Sequence, residues 1–239
     1  MRPKRPARSG RSGSAAAAPP PRLPRPRAVE RNMLIGALRH RRTTRAFSSR
    51  PLTEEVLSEL LWAAFGVNRR RGPFGGVGRT AASASNSQEI DVYVALADGA
   101  YRYDGPQHRL ELIVPEDLRA LAVSRGQSQS DPGVGAPVRL IYVAAVERLI
   151  QTHGFPEAGL HDADVQRSYY YVDTGLIAAN VYLFAAATGL ATWFHNCDRE
   201  GLEARLGLSP GRRVLFAQTV GYAPRRARAR CGSAPAAPP

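Results

Sequence analysis

One stretch, Ala163–Thr188, limits what this chain can fold into more than any other. It contains no proline, follows Asp162 as a ready N-terminal cap and stops at Gly189, the residue that most easily takes the left-handed turn ending a helix. Over Leu176–Ala187 (LIAANVYLFAAA) it is apolar nearly all round. A surface helix shows a single apolar stripe, so this pattern predicts a central, buried helix. It does not predict a membrane span. The apolar run Leu176–Ala191 is interrupted by Asn180 and Thr188 and falls short of the roughly 18 residues a spanning helix needs.

Shorter elements are arranged around it. Met33, Leu34, Ala37 and Leu38 make Glu30–His40 a short amphipathic helix. A second helix opens at Thr53, a good N-cap followed by Glu54 and Glu55, and buries Val56, Leu57, Leu60, Leu61 and Ala64 before Gly66. Asn68–Gly78 reads as an Arg/Gly loop. Ile90–Ala97 and Val138–Val146 read as buried strands, and Ala100–Asp104 with His108–Ile113 as a hairpin broken at Gly105-Pro106. A helix is predicted from Pro115 to about Ser124, a mobile loop over Gln127–Ala136, and a short extended segment over Ala191–Phe194. Asp198 caps a helix over Glu200–Leu206, and Val214–Tyr222 is the last core strand. Strands and helices mix without a βαβ repeat, and no G-x-G-x-x-G follows a strand. The expected fold class is therefore α+β, a central mixed sheet flanked by helices.

The formal charge of +13 belongs to the ends. Residues 1–27 hold eight basic side chains and no acid, and Arg225, Arg226, Arg228 and Arg230 add four more, which leaves 21 basic against 20 acidic residues over 28–224. The expected organisation is a disordered Arg/Pro/Ala-rich tail over 1–28, one folded domain over 29–224, and an Arg- then Pro/Ala-rich tail over 225–239. Ala15–Ala18 is too short for a secretory signal, so a cytoplasmic location is expected. The tails could tether the protein to nucleic acid or an anionic surface. A solubilising role explains them more simply, so neither nucleic acid nor membrane is the expected partner.

Several chemistries are excluded. The five histidines show no metal-binding spacing, so no metal is expected. There is no G-x-S-x-G, and neither Cys197 nor Cys231 has the setting of a nucleophile. Two segments stand out instead. Arg41-Arg42-Thr43-Thr44-Arg45-Ala46-Phe47 gathers three guanidiniums and two hydroxyls, donors suited to a phosphate, although a chance cluster is equally compatible with an arginine-rich chain. Arg79–Gln88 (RTAASASNSQ) combines small residues, which admit a planar ring, with amides that can pair with a heterocycle; a plain Ser/Asn turn accounts for it equally well. Gly189–His195 (GLATWFH) taken alone reads as core.

Together these elements resemble the nitroreductase family of FMN-dependent oxidoreductases. The resemblance rests on R-R-T-T-R-x-F before a P-L-T helix, S-x-S-N-S-Q before a strand, the helix leading into G-L-A-T-W, and the closing V-G-Y-A-P, in order over about Glu30–Pro224. Leu61–Asn68 (LWAAFGVN), Tyr101–Asp104 and His108–Leu110 resemble the branch that includes azoline-oxidising dehydrogenases. The sequence departs from the usual pattern at Ala82, where proline is common, and at Glu89-Ile90, where Pro-Trp is common.

The resemblance implies that Ala163–Thr188 is a dimer-forming helix and that FMN is held near a subunit interface. Arg41, Arg42, Thr43 and Arg45 would hold its phosphate and ring edge. Ser83, Ala84, Ser85 and Asn86 would lie along the ring, Thr192 and Trp193 would meet its remaining edge, and one of Arg226, Arg228 and Arg230 would reach the phosphate. It implies a ping-pong reaction in which NAD(P)H reduces FMN and an electron-poor small molecule (nitroaromatic, quinone or similar) reoxidises it, with no dedicated catalytic side chain. His195 or Tyr169 could donate a proton, though both read more simply as packed residues. The alternatives are oxidation of a C–N bond such as a peptide azoline, and nucleic-acid or anionic-surface binding through the tails.

Overall fold

The computed structural model describes residues 33–126, 133, 135–152 and 162–224. The expectations for 1–32 and 225–239, including those for Arg226 and Arg228, concern residues outside the described ones, as does most of the expected loop at 127–136. Helices α1 (Met33–His40) and α2 (Glu54–Phe65) are followed by a small ribbon of β1 (Val67–Arg69) and β2 (Gly78–Arg79), where a loop is expected. Next come β3 (Ile90–Ala95), β4 (Ala100–Asp104), β5 (Arg109–Val114) and β6 (Val138–Ala145). They are followed by α3 (Val146–Ile150), α4 (Ala163–Thr188), β7 (Leu190–His195), α5 (Arg199–Arg205) and β8 (Arg212–Tyr222).

The six long strands form one sheet in the order β5-β4-β3-β6-β8-β7. Every pairing between them is antiparallel, which corrects the expected mixed sheet. The long crossover through α3 and α4 makes β7 run in the same direction as β6, but the two do not pair. Strand β8 fills the slot between them, antiparallel to both.

All eight residues of β6 are buried, because both faces of the sheet are covered. On one side Leu140 and Tyr142 meet Leu60, Leu61 and Phe65 of α2 and Ile177 and Val181 of α4. On the other, Ile141 and Val143 meet Leu118, Ala122, Leu202 and Leu206. The predicted helix after Pro115 is not formed. Leu118 and Ala122 are drawn into this second core, the segment closes only isolated turns, and the carbonyls of Leu121 and Val123 both accept the Asp198 N–H. Tertiary contacts override the local signal there.

Helix α4 ends as its caps dictate. Asp162 accepts hydrogen bonds from the Asp164 and Val165 N–H groups, and Gly189 turns at φ 76°. Within the chain, however, α4 buries only one stripe, including Tyr170, Asp173, Ile177, Val181 and Ala185, while Leu176 remains 41% exposed. This corrects the expectation of burial all round. A Cβ at Gly189 would meet nothing within 4 Å, so Gly189→Ala carries only the left-handed backbone cost. Urea unfolding is expected to register a loss of about 1 kcal/mol.

Candidate functional site: a cationic segment at the sheet edge

Beyond α1 the chain is pinned across the edge strand β7. The Thr44 N–H donates to the Thr192 carbonyl at 2.9 Å, and the Ser48 N–H to the Tyr222 carbonyl at 2.8 Å. The first bond also occupies a group that an edge strand would otherwise expose. Side chains along this segment face two ways. Arg41 lies 5.5 Å from the Tyr182 ring centre and Arg45 lies 5.6 Å from that of Trp193, while Thr43 Oγ1 is 3.1 Å from the Tyr182 hydroxyl. Arg42 and Thr44, with His40, line a cavity of about 430 Å³ that is completed by Tyr182, Gly189–Thr192 and Ala223. Among the described residues, Arg41, Arg42 and Arg45 have no carboxylate partner. Three unneutralised guanidiniums within five residues of chain give this edge a positive potential that favours an anion.

Tyr182 organises this cluster, and no sequence motif singled it out. Its oxygen accepts the Phe194 N–H at 3.1 Å, so its own proton can go to Thr43 Oγ1. Thr43 then keeps a proton to donate to an incoming acceptor. The available signal was a phenol inside an otherwise apolar helical run.

The small-residue segment lies elsewhere. Ala84 N–H donates to Asp173 Oδ2 at 2.9 Å. Asp173 and Tyr182 are nine residues apart on α4, which is about 13 Å along the helix axis. Ser83–Asn86 and Arg41–Arg45 are therefore anchored at separate places on α4. The 83–88 loop is strained: Ser85, Asn86 and Gln88 have φ of 46°, 59° and 50°, a region most side chains avoid. Ser85 sits at its apex, and its hydroxyl has no partner among the described residues.

Behind the loop lies Glu89, fully buried beside Asp173. Ser87 Oγ donates to Glu89 Oε2 at 2.6 Å, while Oε1 finds no donor among the described residues. Burial, then the neighbouring Asp173 carboxylate, push the Glu89 carboxyl up to about 7, and burial raises Asp173 as well. Either carboxylate is stabilised when its neighbour carries the proton.

Thr192 borders the cavity, but its hydroxyl donates to the Thr219 carbonyl at 3.0 Å and accepts from Gln218 at 3.1 Å, so it serves the core. Trp193 points to the opposite face of β7, stacked 4.1 Å from His195. His195 Nε2 is 2.8 Å from Thr219 Oγ1 and Nδ1 is 2.9 Å from the Asn196 carbonyl, which is the packed-histidine reading. Burial drives the Cys197 thiol up to about 12, so it supplies no thiolate near neutral pH. No described helix is long and apolar enough to cross a membrane.

These features define an antiparallel α+β domain with a cationic segment at its sheet edge that has no carboxylate partner among the described residues. A family model described as "Nitroreductase family" matches residues 38–222, and the chain belongs to that family. It is accordingly an oxidoreductase. The chain is 31% identical over 170 residues to a provisionally named nitroreductase of Methanocaldococcus jannaschii, covering 69% of this chain and 78% of the relative. A crystal structure of a provisionally named nitroreductase from Ralstonia eutropha superimposes with a TM-score of 0.66 at 34% identity, covering 84% of this chain and 88% of that one. The fold is shared with a chain of the Escherichia coli microcin synthetase McbBCD complex, with a TM-score of 0.62 at 17% identity over 76% of this chain and 68% of that one. It is also shared with the NADPH:FMN oxidoreductase of Vibrio harveyi, with a TM-score of 0.53 at 19% identity over 80% of this chain and 69% of that one.

Proposed function

We propose that this chain is an FMN-dependent oxidoreductase that draws electrons from NAD(P)H and reduces an electron-poor small molecule such as a nitroaromatic or quinone, acting as a cytoplasmic homodimer. The observation that carries this reading is that the guanidiniums of Arg41, Arg42 and Arg45, on one five-residue segment, have no carboxylate partner among the described residues, while the Thr43 hydroxyl keeps a proton to donate. That donor set suits a phosphate dianion, which accepts bidentate guanidinium and hydroxyl bonds together. FMN, when bound, supplies a reversible two-electron carrier. The protein's part is to hold and tune it. Arg41, Arg42, Thr43 and Arg45 bind the phosphate end, with Arg226 and Arg228 as further candidates. Ser83–Asn86 lie along the ring, and the Thr192–Trp193 backbone borders its edge. The roughly 13 Å between the two anchor points on α4 fits a site shared across a two-fold axis, with one copy contributing cations and the other the small-residue loop.

Purified protein is expected to be yellow, to release FMN on denaturation, and to bleach within seconds of NAD(P)H addition in a stopped-flow cell. A colourless protein that takes up no added FMN would sink the reading. Bound flavin that stays oxidised in NAD(P)H would favour the second reading, oxidation of a C–N bond such as a peptide azoline. The motivation for that alternative is Tyr101–Asp104 and His108–Leu110. There, His108 bridges Tyr103 and Ser58 at 2.8 Å each and clasps the β4–β5 hairpin to α2.

A further inference from the structure

Three sequence elements far apart in the chain meet at Arg79. Its guanidinium donates from Nη1 to the Phe65 carbonyl at the end of α2, 3.0 Å away, and from Nε to Gln88 Oε1, 2.6 Å away; it also lies 4.8 Å from the Phe65 ring centre. Gln88 Nε2 then donates to Asn86 Oδ1 at 3.0 Å and to the Val77 carbonyl at 2.8 Å, while Asn86 Nδ2 donates to that same carbonyl at 3.1 Å. Room for the guanidinium comes from the β4–β5 hairpin, where a Cβ on Gly105 would stand 1.7 Å from Arg79 Nη1. Burial lowers the Arg79 pKa below its ordinary value of 12.5, yet arginine keeps its charge in proteins.

Two of the residues reached through this chain, Asn86 and Gln88, are in the costly left-handed region, and so is Ser85 beside them. Strained backbone persists only where surrounding bonds over-determine it. Asp173 fixes the loop at Ala84, and the Arg79–Gln88–Asn86 chain fixes the other end.

Building on the flavin reading above, we infer that Arg79 is a positioning residue of the reaction: it holds Ser85 and Asn86 in their strained conformation and so presents the Ser85 apex to the flavin ring. Arg79 itself touches neither flavin nor substrate. Its charge is directed to the Phe65 carbonyl and Gln88, and the α2 end and the Gly105 turn form the frame against which the ring-side loop is set.

The test compares FMN-loaded wild type with Arg79→Met, Arg79→Lys and Gly105→Ala. The last displaces the guanidinium without altering any group of the loop. Arg79→Met and Gly105→Ala are expected to keep FMN affinity within about threefold, because the phosphate end is untouched. Both should shift the visible flavin band and lower kcat about tenfold with little change in KM, as a misplaced ring contact does. Arg79→Lys is expected to fall between them and wild type. An unchanged flavin band and kcat in Arg79→Met would overturn the inference, and Gln88→Leu stands in for Gly105→Ala should that variant not fold. If wild type takes up no FMN, the flavin reading fails on its own. Amide hydrogen exchange at Asn86–Gln88 then decides the clamp, with faster exchange in Arg79→Met supporting it and equal exchange overturning it.

Discussion

Arg41→Ala combined with Arg45→Ala is expected to give a folded protein that purifies without colour. Both side chains are exposed, and each rests on an aromatic ring. Their removal costs the fold only about 0.5–1 kcal/mol per lost cation–π contact. The effect on flavin is far larger. A hydrogen bond to a charged group contributes about 1.5–3 kcal/mol, so losing two weakens FMN binding by about two to four orders of magnitude. Titration of the double variant with FMN, followed by flavin fluorescence, measures this directly. A variant that stays yellow with wild-type affinity would show that the phosphate lies elsewhere.

Glu89→Gln is expected to remove most of a pH dependence in stability. The Glu89 carboxyl keeps its proton in the folded state up to about 7, against an ordinary 4.5. Below 4.5 the folded and unfolded chains both carry the proton, and the site contributes its full stability. Between 4.5 and 7 the unfolded chain releases it while the folded chain retains it, so wild-type stability falls as pH rises through that window and levels off above it. The loss is on the order of 3 kcal/mol. Asp173, also raised, acts with the same sign. In the variant, a neutral amide replaces the carboxyl, still accepts the Ser87 hydroxyl, and can donate to Asp173. Urea midpoints at pH 5 and pH 8 should therefore converge for Glu89→Gln and diverge for wild type. Equal slopes in the two proteins would rule out a buried proton at Glu89.

What could be read from the sequence was mostly local. Both ends of α4 follow from Asp162 and Gly189, because caps act on their own turn. Strand β6 follows from a run, apolar but for Arg139, that suits a strand covered on both faces, and the Arg41–Thr43–Arg45 cluster was visible as donor chemistry. What escaped depends on partners distant in the chain. Leu118 and Ala122 look helical until α5 draws them into a core. The exposed Leu176 looks buried because composition cannot say which side of a helix meets its own sheet. Tyr182 gains its role only when Phe194 and Thr43 reach it, and Glu89 reads as an ordinary carboxylate until α4 brings Asp173 beside it.

The place of β8 between β6 and β7 has a consequence for how the molecule comes together. Strand β6 is apolar but for Arg139, yet its second neighbour is the last strand of the described chain to be synthesised. Until Arg212–Tyr222 have left the ribosome, β6 and β7 each present an open hydrogen-bonding edge. Pairings of such long sequence separation close late, and unpaired apolar edges are where growing chains stick to one another. The nascent chain passes through an adhesive stage after β6 and β7 have emerged and before β8 has, when chaperone cover matters most.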